Sequence, residues 1–366
     1  MIKLEALNAK YGDALLLHFK NDGPQRFWII DGGPRGTWNT YLRPRLKDIK
    51  GDNDRLTVDL AMLSHVDEDH VSGMLQLAKN EAEGDAFLDI RRFWHNSFAD
   101  LADSEEATAA LAGMQGTAQA ALASDDPTLD INGEHLDHRA VAVLASVNQG
   151  RDLRDYIETL ALSGNQPFGG TLSSGSGARP IDEAKVTIVG PIASRLEVFR
   201  EHWAAAAGNA AALAGLFRDD LDESPTNLSS VVVLVEIGER KLLFTGDARG
   251  DDILDGFQAA NLGGRLPMTL DVLKMPHHGS DRNMTQAFLR SFPAKHYVIS
   301  ADGKYGNPDR NTLKAIVQER GNDAYKIWLT NKVAGLPQLL QSLSEGKNFE
   351  YEFRDPDASA IAIEID

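Results

Sequence analysis

The chain has 366 residues, 42 % of them hydrophobic, enough to bury a substantial core as one large domain or two smaller ones. Its formal net charge of −17 argues against broad, non-specific binding to a polyanion or an acidic membrane surface, but not against a nucleotide or nucleic acid held locally through metal ions. With no cysteine, disulfides, thiolate metal sites and cysteine nucleophiles are excluded.

Residues 1–7 read as a strand rather than a secretory leader, and no apolar run approaches membrane-spanning length. The expectation is a soluble cytoplasmic protein with no membrane partner. Short apolar runs at 2–7, 14–19 and 27–30 predict strands separated by Gly and Asp turns, the third closing on Asp31-Gly32-Gly33. A helix is predicted over 37–48, a strand over 56–63, and an amphipathic helix from Val71 through Met74, Leu75 and Ala78. Residues 92–96 read as a further strand, with His95 at its exit.

The composition shifts near residue 98. Residues 98–125 are rich in Ala, Glu and Asp, a second helical stretch covers about 138–164, and a Gly/Ser segment fills 169–177. We read 98–178 as a helical insertion (a lid or docking element) and 195–220 as a second helical insertion in a single domain, 1–366. Strand character returns at 185–189, 231–237, 241–245, 272–275, 296–300, 327–329, 349–353 and 360–365. Two strand-rich halves with interleaved helices predict an α/β (α+β) fold, a two-sheet sandwich flanked by helices.

The stretch Ser64-His65-Val66-Asp67-Glu68-Asp69-His70 places four potential metal ligands, His65, Asp67, Asp69 and His70, within six positions directly after an apolar strand. A strand end is stiff and holds such side chains at fixed spacing. Carboxylates that close together repel unless a cation lies between them, so the simplest physical reading is a metal site, with two ions the natural count. By itself the segment is equally well a polar loop capping a helix.

This motif resembles the HxHxDH signature of the metallo-β-lactamase fold, with Asp67 in place of the second His. As SHxDxDH it is closer to the hydrolase domain of the ComEC competence proteins and its soluble relatives. Other segments resemble that branch in the same order: Tyr11-Gly12-Asp13-Ala14, Ile30-Asp31-Gly32-Gly33, Asn227-Leu228-Ser229-Ser230, Thr245-Gly246-Asp247, and Leu273-Lys274-Met275-Pro276-His277-His278-Gly279-Ser280. With 245–247 and 277–280 in register, the metal site outweighs the capping loop.

The resemblance implies an αββα sandwich and a metal-dependent hydrolase, a phosphodiesterase or nuclease using a metal-bound hydroxide. It implies two divalent ions, Zn or Mn. His65 and Asp67 would face one ion, Asp69 and His70 the other, with Asp247 between them. Of His277 and His278, one would ligate the second ion, taken as His278, and the other would face the leaving group or support a ligand. Asp69, His277 and His278 are thus the expected catalytic residues. Asp67, Asp69, Asp247 and one hydroxide balance the four charges of two divalent ions, which favours oxygen-loving Mn²⁺ more than the His form of the motif would.

Asn227, Ser280, Asn307, His95 and Arg151 are the candidate substrate contacts. Ser280 is expected to precede a helix from about residue 283 whose first N–H groups suit a phosphate oxygen. Asn307-Pro308 stands where the branch commonly carries His-Pro, with Asp302 or Asp309 as compensating groups. Asp31 reads as a turn residue or a residue supporting the ligands. Asn148, Gln149 and Arg151 either break a helix at Gly150 or reach over the pocket to an anionic substrate. The implied partner is a nucleic acid or nucleotide substrate. A small ester, lactone or amide is the alternative substrate, and a third option is a conditionally active subunit docking a protein partner through 98–178.

Overall fold

The computed structural model describes residues 1–96, 121, 128–131, 134–136, 138–206, 227 and 229–365. Two sheets form the framework. The first runs in the order Ala360–Ile365, Ile2–Leu7, Leu15–Phe19, Arg26–Ile30, Leu60–Met62 and Phe93–Trp94. Its first four strands are antiparallel neighbours and its last two join in parallel. The second runs Ala178–Ile181, Ala184–Gly190, Val232–Ile237, Arg240–Phe244, Leu270–Lys274, Ala294–Ile299, Tyr325–Leu329 and Phe349–Phe353. It too changes from antiparallel to parallel, between Arg240–Phe244 and Leu270–Lys274.

The two-residue period of a strand explains the layering. Leu15, Leu17, Phe19, Leu60 and Met62 pack against Val233, Val235, Leu242, Phe244, Val272 and Val298 in one core between the sheets. The alternate residues Leu16, Ile29 and Ala61 turn outward onto the helices Arg43–Lys50, Glu68–Glu83 and His138–Thr159. On the far side Leu234, Leu243, Leu273, Tyr297 and Ile299 meet Ile253, Phe257, Phe288, Leu313 and Leu340 of the other helices. The result is a four-layer α/β sandwich, helices outside two facing sheets. Because both faces of the central strands are covered, they read as unbroken apolar runs.

Several expected boundaries move. The strand over 56–63 is two short ones, Leu56–Val58 paired with Leu88–Ile90 and Leu60–Met62 in the main sheet. Asp59 divides them: its buried carboxylate accepts Phe27 N at 3.0 Å and Arg91 Nη1 at 2.7 Å. The expected helix from 283 begins later, at Gln286, where Thr285 Oγ accepts Phe288 N. Residues 98–120 lie outside the described residues, as does most of 207–228. The helix His138–Thr159 is unbroken at Gly150 and packs directly on Glu68–Glu83, with Val141, Leu153 and Ile157 buried against Val71, Met74 and Leu77. Gly150 there is a point of approach: a Cβ would stand 2.8 Å from Val66 Cγ1, inside the 64–70 motif.

A second close approach fixes that motif. A Cβ on Gly73 would lie 1.9 Å from Gly32 O, and one on Gly32 would lie 2.2 Å from Met74 N. The Gly32-Gly33 turn thus lies on the helix backbone, with Gly32 N bonded to His70 O and Gly73 N to Gly33 O, both at 3.0 Å. Gly→Ala inside a helix ordinarily stabilises by about 1 kcal/mol. Gly73→Ala is expected to reverse that sign and destabilise by about 1–3 kcal/mol through overpacking, read as a lower urea midpoint with an unchanged slope.

Candidate metal centre

The chemistry-bearing loops all leave the carboxyl ends of strands, the edge where open α/β sheets form their crevices. Asp31 follows Arg26–Ile30, the 64–70 motif follows Leu60–Met62, His95 follows Phe93–Trp94, Asp247 follows Arg240–Phe244, and His277 and His278 follow Leu270–Lys274. The sandwich brings these ends of its two sheets together.

Asp247 is the hub. Its Oδ1 lies 3.4 Å from His70 Nε2, and its Oδ2 lies 3.3 Å from His278 Nε2, 3.7 Å from His277 Nε2 and 3.9 Å from His65 Nε2. Asp69 Oδ2 is 3.2 Å from His278 Nε2 and 3.8 Å from His70 Nε2, and Asp67 Oδ2 is 3.6 Å from His65 Nε2. Two groupings share Asp247: His70, Asp69 and His278 in one, His65, Asp67 and His277 in the other.

Each imidazole is anchored through its other nitrogen. His278 Nδ1 donates to Ser300 O at 2.9 Å, His70 Nδ1 to Asp31 Oδ2 at 2.9 Å and His277 Nδ1 to Asn283 Oδ1 at 2.9 Å. Ser64 Oγ donates to Asp31 Oδ2 at 2.8 Å, which leaves it to accept from His65 Nδ1 at 3.0 Å. All four rings are thereby fixed with Nε2 toward Asp247, the tautomer in which a ligating histidine is usually held. His65 Nε2, His70 Nε2, His278 Nε2 and Asp247 Oδ1 are buried with no hydrogen-bond partner. Ligand atoms about 2.0–2.2 Å from a tetrahedral ion stand about 3.3–3.6 Å from one another. The separations of 3.2–3.9 Å around Asp247 fit that cage. Asp13, His70, Asp247 and His278 form a buried group that can hold a metal ion, their ligand atoms all within 4.8 Å of one another.

Without a cation, protons do its work. Burial opposes ionisation of Asp69, His70, Asp247 and His278, yet the facing charges outweigh it. Asp247 and Asp13 push His278 up to about 10, and Asp247, Asp69 and Asp31 hold His70 well above its usual range. In return, His70 and His278 lower Asp69 to about 2, and His278, His70 and His277 hold Asp247 well below the usual carboxylate range. A cation replacing those protons meets the same carboxylates.

Strain marks the same spot. Asp31 has φ +58°, and His277, His278 and Gly279 follow one another at φ +44°, +54° and +82°. Non-glycine residues in this region each cost of order 1–3 kcal/mol and persist where the surroundings over-determine them. The surroundings here are explicit: His277 N bonds Gly246 O, Ser280 N bonds His277 O, and Asn307 Nδ2 donates to His277 O at 3.3 Å.

That contact gives Asn307 a bracing role beside the two histidines. Asp309 accepts Asp281 N and Asp302 accepts Lys304 N. Ser280 is buried in the turn, and the next helix along the chain starts only at Gln286, six residues on. Asn227 is buried and its carbonyl accepts Ser230 N, while Ser230 Oγ accepts Asp247 N at 3.2 Å. His95 is buried and its backbone is clasped on both sides by Asn165. Arg151 pairs with Asp152 at 3.4 Å, and it is Gly150 and Gln149 of that helix that meet the motif, Gln149 Oε1 accepting Ser72 Oγ.

Behind the rings, Asp31 answers to its reading as a supporting residue, whereas Asp13, Asn283 and Ser300 were given no role from sequence. Asp13 is completely buried, 2.5 Å from Lys274 Nζ, 3.7 Å from His278 Nδ1 and 3.9 Å from His70 Nδ1. Asp13 is a member of the buried group that can hold an ion, yet its oxygens face Nδ1 atoms already bonded to Ser300 O and Asp31 Oδ2 and are held by an ammonium, so we place it behind the rings and not in the cage. A lysine inside the apolar run 270–275 was the available signal, since a buried ammonium requires a buried anion. No protein-family model matches the chain, and no curated protein matches it.

Proposed function

We propose that the chain is a metal-dependent phosphodiesterase of metallo-β-lactamase type, with His65, Asp67, Asp69, His70, Asp247 and His278 forming a cage for two divalent ions. The observation that carries this is the convergence of separately anchored Nε2 atoms on Asp247. The phosphodiester preference rests on the resemblance of the SHxDxDH, TGD and HHGS segments to the ComEC branch. Divalent cations in such a cage supply Lewis acidity toward a phosphoryl oxygen and acidify water.

The chain's own groups divide the remaining work. His278 is sealed inside, its side chain 4 % exposed, and belongs with Asp69 among the ligands. The side chain of His277 is 19 % exposed and sits at the mouth, where its Nε2 can face a leaving oxygen while Asn283 holds Nδ1. Asp31, Ser64 and Ser300 keep the imidazoles oriented.

The test is elemental analysis of purified protein beside its hydrolysis of bis(p-nitrophenyl) phosphate and of single- and double-stranded DNA and RNA with Mn²⁺ or Zn²⁺. About two equivalents of metal are expected. Chelation is expected to abolish cleavage, and Asp69→Ala or His70→Ala to lower it by about 10²-fold or more. Cleavage retained in both variants overturns the proposal. Turnover of p-nitrophenyl acetate or lactones without any of phosphodiesters replaces it with ester hydrolysis. Metal-free protein that captures a partner through 98–178 replaces it with a docking subunit.

A further inference from the structure

Beside the two metal loops lies a small aromatic and cationic patch. Tyr11 and Tyr305 meet edge to face with ring centroids 5.4 Å apart. Lys304 Nζ lies 3.6 Å from the Tyr11 centroid and 4.8 Å from that of Tyr305. The Tyr11 hydroxyl donates to Glu68 Oε2 at 3.0 Å, which fixes that ring. Tyr305 is 42 % exposed, and apart from Met1 it is the one large exposed hydrophobic side chain among the described residues.

The patch is tied to the centre from both sides. Tyr11 adjoins Gly12, so close to the motif that a Cβ there would stand 1.9 Å from Asp69 O, and Asp13 N bonds that same carbonyl. Tyr305 lies two residues before Asn307, which donates to His277 O. Ser300 Oγ joins the two loops by donating to Gly12 O at 2.6 Å. The patch therefore sits on the rim between Asp69 and His277, the side on which a substrate's flanking group would lie.

We infer that Tyr305, backed by Tyr11 and Lys304, is a substrate-positioning platform on which one unpaired nucleobase stacks, with the Lys304 ammonium directed at its phosphate. This rests on the phosphodiesterase proposal and narrows the substrate to nucleotidyl diesters with an exposed base. The chemistry is general: a tyrosine ring stacks with any base, and stacking requires that the base be free of its own neighbours, as in single strands. A cage whose three carboxylates and hydroxide balance two divalent ions, on a chain of net charge −17, draws little on an anionic diester, so a cation at the mouth aids capture, and Lys304 is an exposed one. A single exposed ring favours the presence of a base over its identity.

Two esters with the same p-nitrophenolate leaving group test this: thymidine 5′-(p-nitrophenyl phosphate) and methyl p-nitrophenyl phosphate. Tyr305→Ala is expected to raise KM for the thymidine ester about tenfold with kcat retained, and to leave kcat/KM for the methyl ester unchanged. Tyr305→Phe, which keeps the ring face, is expected to behave as wild type, and Tyr305→Leu as the alanine variant. Equal losses on both esters, or none on either, overturn the platform. A second measurement is binding of a phosphorothioate-linked single-stranded oligothymidylate by fluorescence anisotropy. Wild type is expected to bind about tenfold more tightly than Tyr305→Ala, and an equal affinity or no binding overturns the platform. Binding that depends on Tyr305 without hydrolysis of either ester sinks the phosphodiesterase proposal alone. Hydrolysis of both esters indifferent to Tyr305 sinks the platform alone.

Discussion

Lys274→Met is expected to lower the unfolding free energy by about 3–5 kcal/mol. Lys274 Nζ and Asp13 Oδ2 are 2.5 Å apart, with side chains 1 % and 0 % exposed, between the two sheets' carboxyl ends. Lys274 Nζ also donates to Met275 O at 3.0 Å. Removing the ammonium leaves the Asp13 carboxylate in a dry interior with only the His278 and His70 rings, 3.7 and 3.9 Å away, to face it, and that imbalance accounts for the cost more than the lost attraction does. The double variant Asp13→Leu/Lys274→Met removes both charges and is expected to recover most of the loss, because pairing seldom repays desolvation in full. Urea unfolding of the four proteins reads this as a cycle, with the midpoint moving and the slope constant. A single-variant cost below about 1 kcal/mol would remove the pair from any account of what holds the centre together. The metal cage should suffer in both variants: Asp13 faces His70 and His278 from behind, and its negative charge is one reason His278 stays protonated.

Asp247→Asn is expected to have the largest effect on function. One carboxylate faces four imidazoles, so the amide removes the charge common to both groupings of ligands at almost no change in volume. Metal content is expected to fall below one equivalent and phosphodiester cleavage by at least about 10²-fold. The apo protein gives a readout that needs no activity. Burial alone would lower the His278 pKa, and Asp247 is the first of the groups that instead push it up to about 10. In Asp247→Asn that pKa is expected to drop toward the ordinary imidazole range, visible by NMR titration.

The sign for stability follows from linkage. A histidine whose folded pKa is raised stabilises the apo fold fully below its unfolded pKa of about 6.5, and the contribution is lost as pH rises through the folded value. Wild-type apo protein should therefore lose stability between about pH 6.5 and 10, the upper bound being the His278 value. Asp247→Asn should lack most of that slope. Metal loading of wild type at neutral pH should release about two protons, from His70 and His278, and tighten as pH rises. Calorimetry in buffers of different ionisation enthalpy measures both. A wild-type titration with no proton release would show that these imidazoles are not the groups a cation displaces.

Local spacing and strand periodicity carry the part of the fold that is legible in the sequence. The apolar runs marked most strands of both sheets, because a strand covered on both faces leaves few polar positions within it. The segments holding His65, Asp67, Asp69, His70, Asp247, His277 and His278 were visible because each follows such a run. Tertiary structure decided the rest. The strand Ala360–Ile365 pairs with Ile2–Leu7 from the other end of the chain, a choice no local pattern contains. Asp31 on His70, Ser300 on His278, Asn283 on His277 and Asp13 on Lys274 are hydrogen bonds and ion pairs formed only when the loop ends meet. Asn307, read from the sequence as a substrate contact, braces the His277 carbonyl. Side-chain identity and spacing can announce a ligand, but which nitrogen it presents depends on partners that only the closed sandwich supplies.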